Sequence, residues 1–504
     1  VNFLLMLAGL HVFGWASGGA ASMRPRRVCR PHGIRASAED GIRASAEDGI
    51  RASAEDGDVH VATFNLLCPA YRRIEGQDDA VRESMYPPVY LQRHAEILQL
   101  PLWNRADIIC AQEFWYECQE VFDMYVRALR PRYRMHGLQR TDGMKTRPDG
   151  LFMAISRQWE VVHEADINFE DAAGRCAQLL HLRRVTETPG QIGEMIVANV
   201  HLLFPHNEAS GRIRVREVHK LLAYLDMYKW SLHAPPPALI CGDLNSPLGS
   251  SIARYLRRYG WACSFSEASG HTSDDDYQVP QRWVSHYTHE GCSTGVDYIW
   301  LQNPSEPRLP VVDWTDMVFS EIAEELMRRG FAGPKQAWDL FSGLAGVRGS
   351  VDTEGFKTAL RQLGFGSGAR LATLTPVEIS LLVSSCDVDG DGTIDSNEWC
   401  DRFSRALVRL QGGDLVCDQE TRATDLQVSG SWLTPSCLEA GRWPDADEWS
   451  LSDHGIVTST FRLRDDDDDE AACAALAALE ATEVGVAEAR AEPTEDGAAT
   501  GEDR

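Results

Sequence analysis

The sequence predicts an α/β protein built on a large sheet system and interrupted by an inserted helical module. Between residues 58 and 301, seven apolar runs of strand length (VHVATFNLL, DIICAQE, LFMAIS, AQLLHL, MIVANVHLL, ALICGD and VDYIWL) alternate with amphipathic stretches. Short apolar runs bounded by polar turns are the pattern of buried strands, and strands interleaved with helices give the α/β class, with α+β as the alternative. The stretch 211–228 has helical periodicity, with Ile213, Val215, Val218, Leu221, Leu222 and Leu225 on a face opposite Arg212, Arg216 and Lys220. The last strand-like run, GIVTSTFRL at 455–463, stands far along the chain from the others, so a module is spliced in before it.

The ends of the chain differ in kind from its middle. VNFLLMLAGLHVFGWASGGAAS resembles a signal peptide without a basic start, and MRPRRVCRPHGIRASA has the Arg-rich, acid-poor composition of a transit peptide. Together they would suit a plastid, whereas a start at Met23 or later would suit the cytoplasm. The octapeptide GIRASAED then occurs three times in tandem, at 33–40, 41–48 and 49–56. A polar period of eight cannot bury a core, so 1–57 is expected to be a disordered or targeting segment. Residues 465–504 carry fourteen acids against two arginines, a solvated acidic tail.

The 504 residues are 43% hydrophobic and 25% charged, as in globular chains with room for a large domain and additions. The apolar run Phe3 to Phe13 is about half the length of a membrane span, which excludes a multi-pass membrane protein. A formal charge of −26 argues against nonspecific coating of nucleic acid, which relies on many exposed cations. Thirteen cysteines without a CxxC pair point to reduced, buried thiols and away from a disulfide framework or zinc ribbon.

Chemistry-bearing residues recur at the ends of the predicted strands: Asn65 after VATF, Glu113 after IICAQ, His201 after VANV, Asp243 and Asn245 in CGDLN, Asp297 in GVDYIW, and Asp453 with His454 in LSDHG. Strand ends can converge at one edge of a sheet. Carboxylates without a Cys or His cluster suit a hard ion such as Mg²⁺, or Mn²⁺, which leaves positions open for a phosphate. Phosphate-ester hydrolysis needs a base for water, donors for the non-bridging oxygens and an acid or cation for the leaving oxygen, and these residue types supply them.

The succession TFN, QE, NVH, GDLN, VDYIW and SDH resembles the endonuclease/exonuclease/phosphatase superfamily, over 58–301 and 448–463. Within it, HLLFPHNEASGRIRVREVHKLLAYL, PALICGDLNSP, QRWVSH and GVDYIWLQNPS look most like the plant and algal calcium-binding members, relatives of the carbon catabolite repressor-type deadenylases. GDLN here stands where the plant form has GDWN. The resemblance implies two packed, mostly antiparallel sheets flanked by helices, a four-layer sandwich. It also implies that Glu113 binds Mg²⁺ directly with Asn65 in support, and that Asp453 is a further metal-side ligand. Asp243 would orient or deprotonate water, Asn245 and His201 would contact phosphate, and His454, its tautomer fixed by Asp297, would stabilise charge or protonate the leaving group.

Asp297 and Asp453 are 156 positions apart, and the excess holds a twelve-residue match to an EF-hand loop. Asp387, Asp389 and Asp391 take positions 1, 3 and 5, Gly392 makes the turn, Thr393 offers its carbonyl, Asp395 sits at 9 and Glu398 ligates Ca²⁺ from 12. Thr375-Pro376-Val377-Glu378 is a capping box for the entering helix, and Trp399, Phe403, Leu407 and Leu410 line the exiting one. A partner loop with Gly349 at position 6 and Val351 at 8 has Leu344, Gly346, Arg348 and Gly355 where ligands belong, so it is expected only to pack. The expected domains are a catalytic one over 58–301 and 448–464, and an insertion over 302–447 with the EF-hand pair at about 336–410.

Three functions fit these residues. The first is a Mg²⁺-dependent nuclease or deadenylase acting on RNA, with Arg132, Arg134, Arg140, Lys145, Arg147, Arg254, Arg257 and Arg258 as candidates to line a strand groove. The second is a phosphatase or phosphodiesterase for a small or lipid phosphate. The third is a calcium-responsive binding protein whose catalytic half is inert.

Overall fold

The computed structural model describes residues 57–464 apart from 75, 143–144, 171–173, 187–189, 207–209, 271–282, 332, 347–348, 366–373, 411–414, 440 and 446–447. The GIRASAED repeats, the acidic tail and Arg348 lie outside the described residues.

In chain order the first sheet begins with β1 (Val59–Asn65), α1 (Pro87–Ile97), β2 (Ile108–Trp115), α2 (Gln119–Leu129), β3 (Tyr133–Asp142) and β4 (Lys145–Ser156). The second is built from β5 (Trp159–Asn168), β6 (Cys176–Arg184), β7 (Glu194–His201), α3 (Ser210–Trp230), β8 (Ala238–Asp243), α4 (Ser251–Arg258) and β9 (Ala262–Cys263). A small ribbon of β10 (His286–Tyr287) and β11 (Ser293–Thr294) precedes β12 (Asp297–Gln302). Then come α5 (Trp314–Arg328), α6 (Pro334–Ala345), β13 (Val351–Asp352), α7 (Thr353–Gln362), α8 (Pro376–Cys386), β14 (Thr393–Ile394) and α9 (Ser396–Leu410). The chain returns through β15 (Leu426–Thr434) and β16 (Ile456–Leu463).

The two six-stranded sheets run β15-β16-β1-β2-β4-β3 and β5-β6-β7-β8-β12-β9. Each has one parallel pair at its centre, β1 with β2 and β7 with β8, and is otherwise antiparallel. Alternation along β1 and β2 explains the layering. Val59, Val61, Ile108 and Cys110 face the core between the sheets, while Ala62, Phe64, Ile109 and Ala111 face a second core that includes Ile97 of α1 and Tyr125 of α2. Val218, Leu221, Leu222 and Leu225 of α3, with Ile252 and Leu256 of α4, join the central core from the other side.

The helices α5 to α9 form their own core around Phe319, Phe341, Phe356, Trp399 and Phe403. Two helix–loop–helix units face each other there, and their loops are joined by β13 and β14, with Val351 opposite Ile394. The capping box is present in both directions: Thr375 Oγ1 accepts from Glu378 N at 3.2 Å, and Glu378 accepts from Thr375 N at 2.8 Å. Leu382 is buried in this core, whereas Leu381 is half exposed.

Two expectations change. β15, within the stretch assigned to the insertion, is an edge strand paired along β16. Its apolar positions are sparse because only Leu426, Leu433 and Thr434 are buried, so the alternation of a strand is faint in LQVSGSWLT. Arg216, expected on a solvent face of α3, is buried and donates to Glu321 of α5 at 2.9 Å. That face of α3 meets the helical module, and Lys220 donates to Glu378 of α8 at 2.8 Å.

Candidate active site

The parallel pairs direct the carboxyl ends of β1, β2, β7 and β8 to one edge, the place where open α/β sheets bind ligands. Asn65, His201 and Asp243 are the last residues of β1, β7 and β8, and Asp297 is the first of antiparallel β12, directly opposite Asp243. Glu113 lies where the pairing of β2 with β4 shifts register, and its φ of 55° is in the left-handed region. Such a bulge re-aims a side chain, at a cost of about 1–3 kcal/mol that the surrounding sheet sustains. Leu67 (53°) and Asn245 (49°) share the left-handed conformation beside the site.

Asn65 is fully engaged. Its Nδ2 donates to Asp243 Oδ2 at 3.1 Å and Glu113 Oε1 at 3.4 Å, and its Oδ1 accepts from Leu67 N at 3.0 Å. The amide therefore bridges two carboxylates 130 positions apart. Glu113 Oε2 accepts from Cys68 N at 3.0 Å. Burial, then the charges of Asp149 and Asp453, push the Glu113 carboxyl up to about 7. Burial and the Asp297 charge likewise raise Asp243.

His454 Nδ1 donates to Asp297 Oδ2 at 2.9 Å, and its Nε2 lies 3.8 Å from both Asp243 Oδ2 and Asp453 Oδ1. Burial works against a charge on this ring, but the carboxylates of Asp297, Asp243 and Asp453 outweigh it and hold the imidazolium to about 10. His201 Nε2 is 3.4 Å from Asp243 Oδ2, and burial beside Arg175 and Arg140 pushes its pKa well down, so it is neutral. Asn245 Nδ2 gives one hydrogen to Leu202 O at 2.9 Å, and its backbone N–H donates to Asp243 Oδ1 at 2.8 Å.

All eight residues expected from the sequence thus stand at one edge. Others there were not assigned. Ser285 Oγ donates to Asp297 Oδ2 at 2.7 Å while accepting from Val296 N and Asp297 N, each at 2.9 Å. His286 stacks on His454 with ring centroids 4.1 Å apart. Both lie in the QRWVSH segment, one of those that carry the resemblance, and that was the available signal. Arg93 gave none: buried on α1, it donates to Leu66 O and Leu451 O, each at 2.8 Å, and ties two segments that bring site residues.

The donor set fits a hard divalent cation. Glu113, Asp243, Asp297 and Asp453 crowd one pocket of negative charge, and Asp453 Oδ1 is buried without a hydrogen-bond partner. Glu113 and Asp453, whose charges face each other there, could hold such an ion. The arginines expected to line a strand groove are largely engaged elsewhere. Arg140 is buried and forks onto Asp149 (2.7 and 3.0 Å), Arg134 donates to Trp159 O, and Arg254 donates to Gly249 O at 2.8 Å.

The far cluster, 387–398, is local and exposed. Asp387 accepts from Gly390 N and Gly392 N at 2.7 and 2.8 Å, Asp391 from Thr393 N at 2.7 Å, and Glu398 closes the loop onto Val388 N at 2.7 Å and Asp395 N at 2.9 Å. Carboxylate oxygens of Asp387, Asp389 and Asp391 lie within 4.8 Å of one another.

Residues 62–320 match the model of the endonuclease/exonuclease/phosphatase family, and the chain belongs to that family. An Arabidopsis thaliana relative described as an uncharacterized calcium-binding protein is 33% identical over 423 residues, 80% of this chain and 84% of the relative. Among solved structures, the human Nocturnin catalytic domain with bound sulfate is 18% identical, covering 50% of this chain and 85% of that one at a TM-score of 0.37. ANGEL2, described as a 2′,3′-cyclic phosphatase, is 18% identical over 49% of this chain and 84% of that one, at 0.35. No helix among the described residues is long and apolar enough to cross a membrane.

Proposed function

We propose that the chain is a Mg²⁺- or Mn²⁺-dependent phosphoester hydrolase of nuclease or deadenylase type that also binds one Ca²⁺ in the loop 387–398. The observation that carries the catalytic half is the contact of His454 with Asp297 beside Asp243 and Glu113, drawn from four separated segments. Held by Glu113 and Asp453, the divalent ion would neutralise phosphate oxygens and make bound water more acidic. Asp243 orients the attacking water and takes its proton. His454 stays cationic against Asp297 and stabilises the phosphorane or protonates the leaving oxygen. The second Nδ2 hydrogen of Asn245 and the neutral ring of His201 contact non-bridging oxygens, and Asn65 fixes the spacing of Glu113 and Asp243.

The calcium half rests on the inward carboxylates of Asp387, Asp389, Asp391 and Glu398, with Thr393 and Asp395 completing the set, and on the Val351–Ile394 pairing that joins the two loops. The description of the Arabidopsis relative supports it. A small or lipid phosphate is the second reading of the substrate, favoured by the engagement of Arg134, Arg140 and Arg254 within the fold. Assay of the purified chain on oligonucleotides, phosphoinositides, sphingomyelin and nucleotide phosphates, with Mg²⁺ or Mn²⁺, decides between them. Hydrolysis of one class that collapses in Asp243→Asn is expected. A folded wild type inactive on every class would leave the calcium-responsive binding protein.

A further inference from the structure

A cleft of about 480 Å³ opens between the sandwich and the helical module. On one side α3 and α4 line it with Val215 and Tyr255, and on the other α5 and α9 line it with Met317 and Leu410. The chain between β12 and α5 adds Leu309 and Val312. None of these residues belongs to the hydrolytic site or to the loop 387–398. Tyr255 and Tyr259, both in the lining, stand with ring centroids 4.8 Å apart and offer aromatic surface. Ligand pockets hold about 300–1,000 Å³ between mostly apolar walls, with a few polar groups that fix orientation. The cleft has that size and that kind of wall.

Most of the charged residues in the lining are already paired. Glu321 accepts from the buried Arg216 at 2.9 Å, Glu325 accepts from Arg328 at 2.7 Å and Arg329 at 2.8 Å, and Arg409 donates to Asp316 at 2.5 Å. Arg212, Arg258 and Glu324 are left, without an ion-pair partner among the described residues. Two guanidiniums against one carboxylate make the unpaired charge of the cleft positive. Arg212 is half-buried on α3, with its guanidinium carbon 4.6 Å from the centre of the Phe365 ring, and Arg258 is exposed at the end of α4. A guanidinium beside apolar walls gains from an anion, because the fork of donors matches an acidic head and the surroundings screen the attraction less than water does.

We propose that the cleft binds a small amphipathic anion, an apolar ring body carrying one carboxylate or phosphate-type head. The body lies among the apolar side chains of α3, α5 and α9, and the head meets the guanidiniums of Arg212 and Arg258. Ordered water alone would leave those walls wetted and both cations without a counter-charge, whereas such an anion removes the apolar area from water and supplies the charge. Binding does not depend on the hydrolase reading, since the two sites share no residue.

The test uses the full chain with Mg²⁺ and Ca²⁺ in saturating excess and two probes of one shape, anilinonaphthalene sulfonate and the uncharged N-phenylnaphthylamine. Fluorescence titration should show one sulfonate site per chain, bound about fivefold or more tighter than the uncharged probe, the scale of a partly exposed ion pair. Arg258→Gln and Arg212→Gln should each reduce that preference and leave the uncharged probe unaffected. Ser251→Trp, from an exposed position of the lining, and Val215→Trp, from α3, should exclude both probes. Trp230→Ser, which removes a ring that is 92% exposed on another apolar surface, should change nothing. Equal affinity for the two probes in the wild type, binding that survives both tryptophan substitutions, or binding lost in Trp230→Ser would each overturn the site. Naphthoate and naphthylphosphonate should displace the sulfonate and so rank the two heads; displacement by neither would overturn the anionic class.

Discussion

The two candidate cation sites are built in opposite ways. The edge of the sandwich gathers Asn65, Glu113, His201, Asp243, Asp297 and His454 from six segments, buries most of them and satisfies them with one another. The loop at 387–398 takes every carboxylate from twelve consecutive residues, leaves most of them exposed and satisfies them with its own backbone. A buried assembly of like charges is held by the whole fold, so its geometry is present before any ion arrives. A loop of exposed acids is held by local turns, and the ion itself supplies much of its order. The contrast predicts large, local chemical losses at the first and thermodynamic, ligand-dependent ones at the second.

The largest effect belongs to the sandwich. His454→Ala should lower turnover on the best substrate about 10²-fold or more with KM little changed, as for a group acting in the transition state. Glu113→Ala should instead raise the metal concentration needed for half-maximal rate. Full activity in either variant would mean that the convergence has a structural purpose only.

Next comes calcium. One Ca²⁺ per chain should stabilise the helical module by about 2.7 kcal/mol at a concentration a hundred times Kd, seen as a shift in thermal unfolding that Glu398→Gln largely abolishes. Titration heats that are the same in the wild type and Glu398→Gln would refute the site.

The contrast also governs what the sequence revealed. The loop at 387–398 is legible because its spacing is a property of contiguous residues. The sandwich site was legible only through the order of weak signals: an Asn at a strand end or a lone His says little until Asp243, Asp297 and His454 occur in succession. What stayed hidden depends on contacts across the fold. Arg93 joins segments 358 positions apart, and Arg216 belongs to a helix face that becomes interior only when the module docks. β15 was missed because an edge strand with three buried residues carries too little alternation.

Between the two regions runs a seam, where His219 of α3 is wholly buried against Tyr255 of α4. Burial pushes its pKa down to about 4, so the unfolded chain, near 6.5, binds the proton more readily. The penalty is absent above pH 6.5, grows as pH falls and levels off below about 4. From pH 7.5 to 5.5 it amounts to about 1.4 kcal/mol. Denaturant unfolding of the wild type and His219→Leu at the two pH values should differ by that increment; equal pH dependence in both would remove His219 from the balance.

The smallest expected effect probes whether the seam carries any energy between the regions. Lys220 of α3 reaches Glu378 of α8 at 2.8 Å and lies 5.3 Å from the centre of the Trp314 ring. Glu378 also closes the capping box through Thr375 N, so a simple deletion would confound the ion pair with the helix start. Glu378→Gln keeps an acceptor for that N–H and removes the charge, and Lys220→Met keeps the stem over the ring and removes the ammonium. Their double-mutant cycle isolates the pair. Partial burial, with side chains 18% and 8% exposed, puts the coupling near the upper end for surface pairs, about 1 kcal/mol. A coupling that is the same with and without Ca²⁺ would make the seam a static weld, with the calcium loop a docked stabilising element. A coupling that changes on loading would mean that α8 moves against α3, the helix whose Glu217 accepts from Leu203 N at 3.0 Å, two residues beyond His201. The route from the loop to the site would then be a physical one.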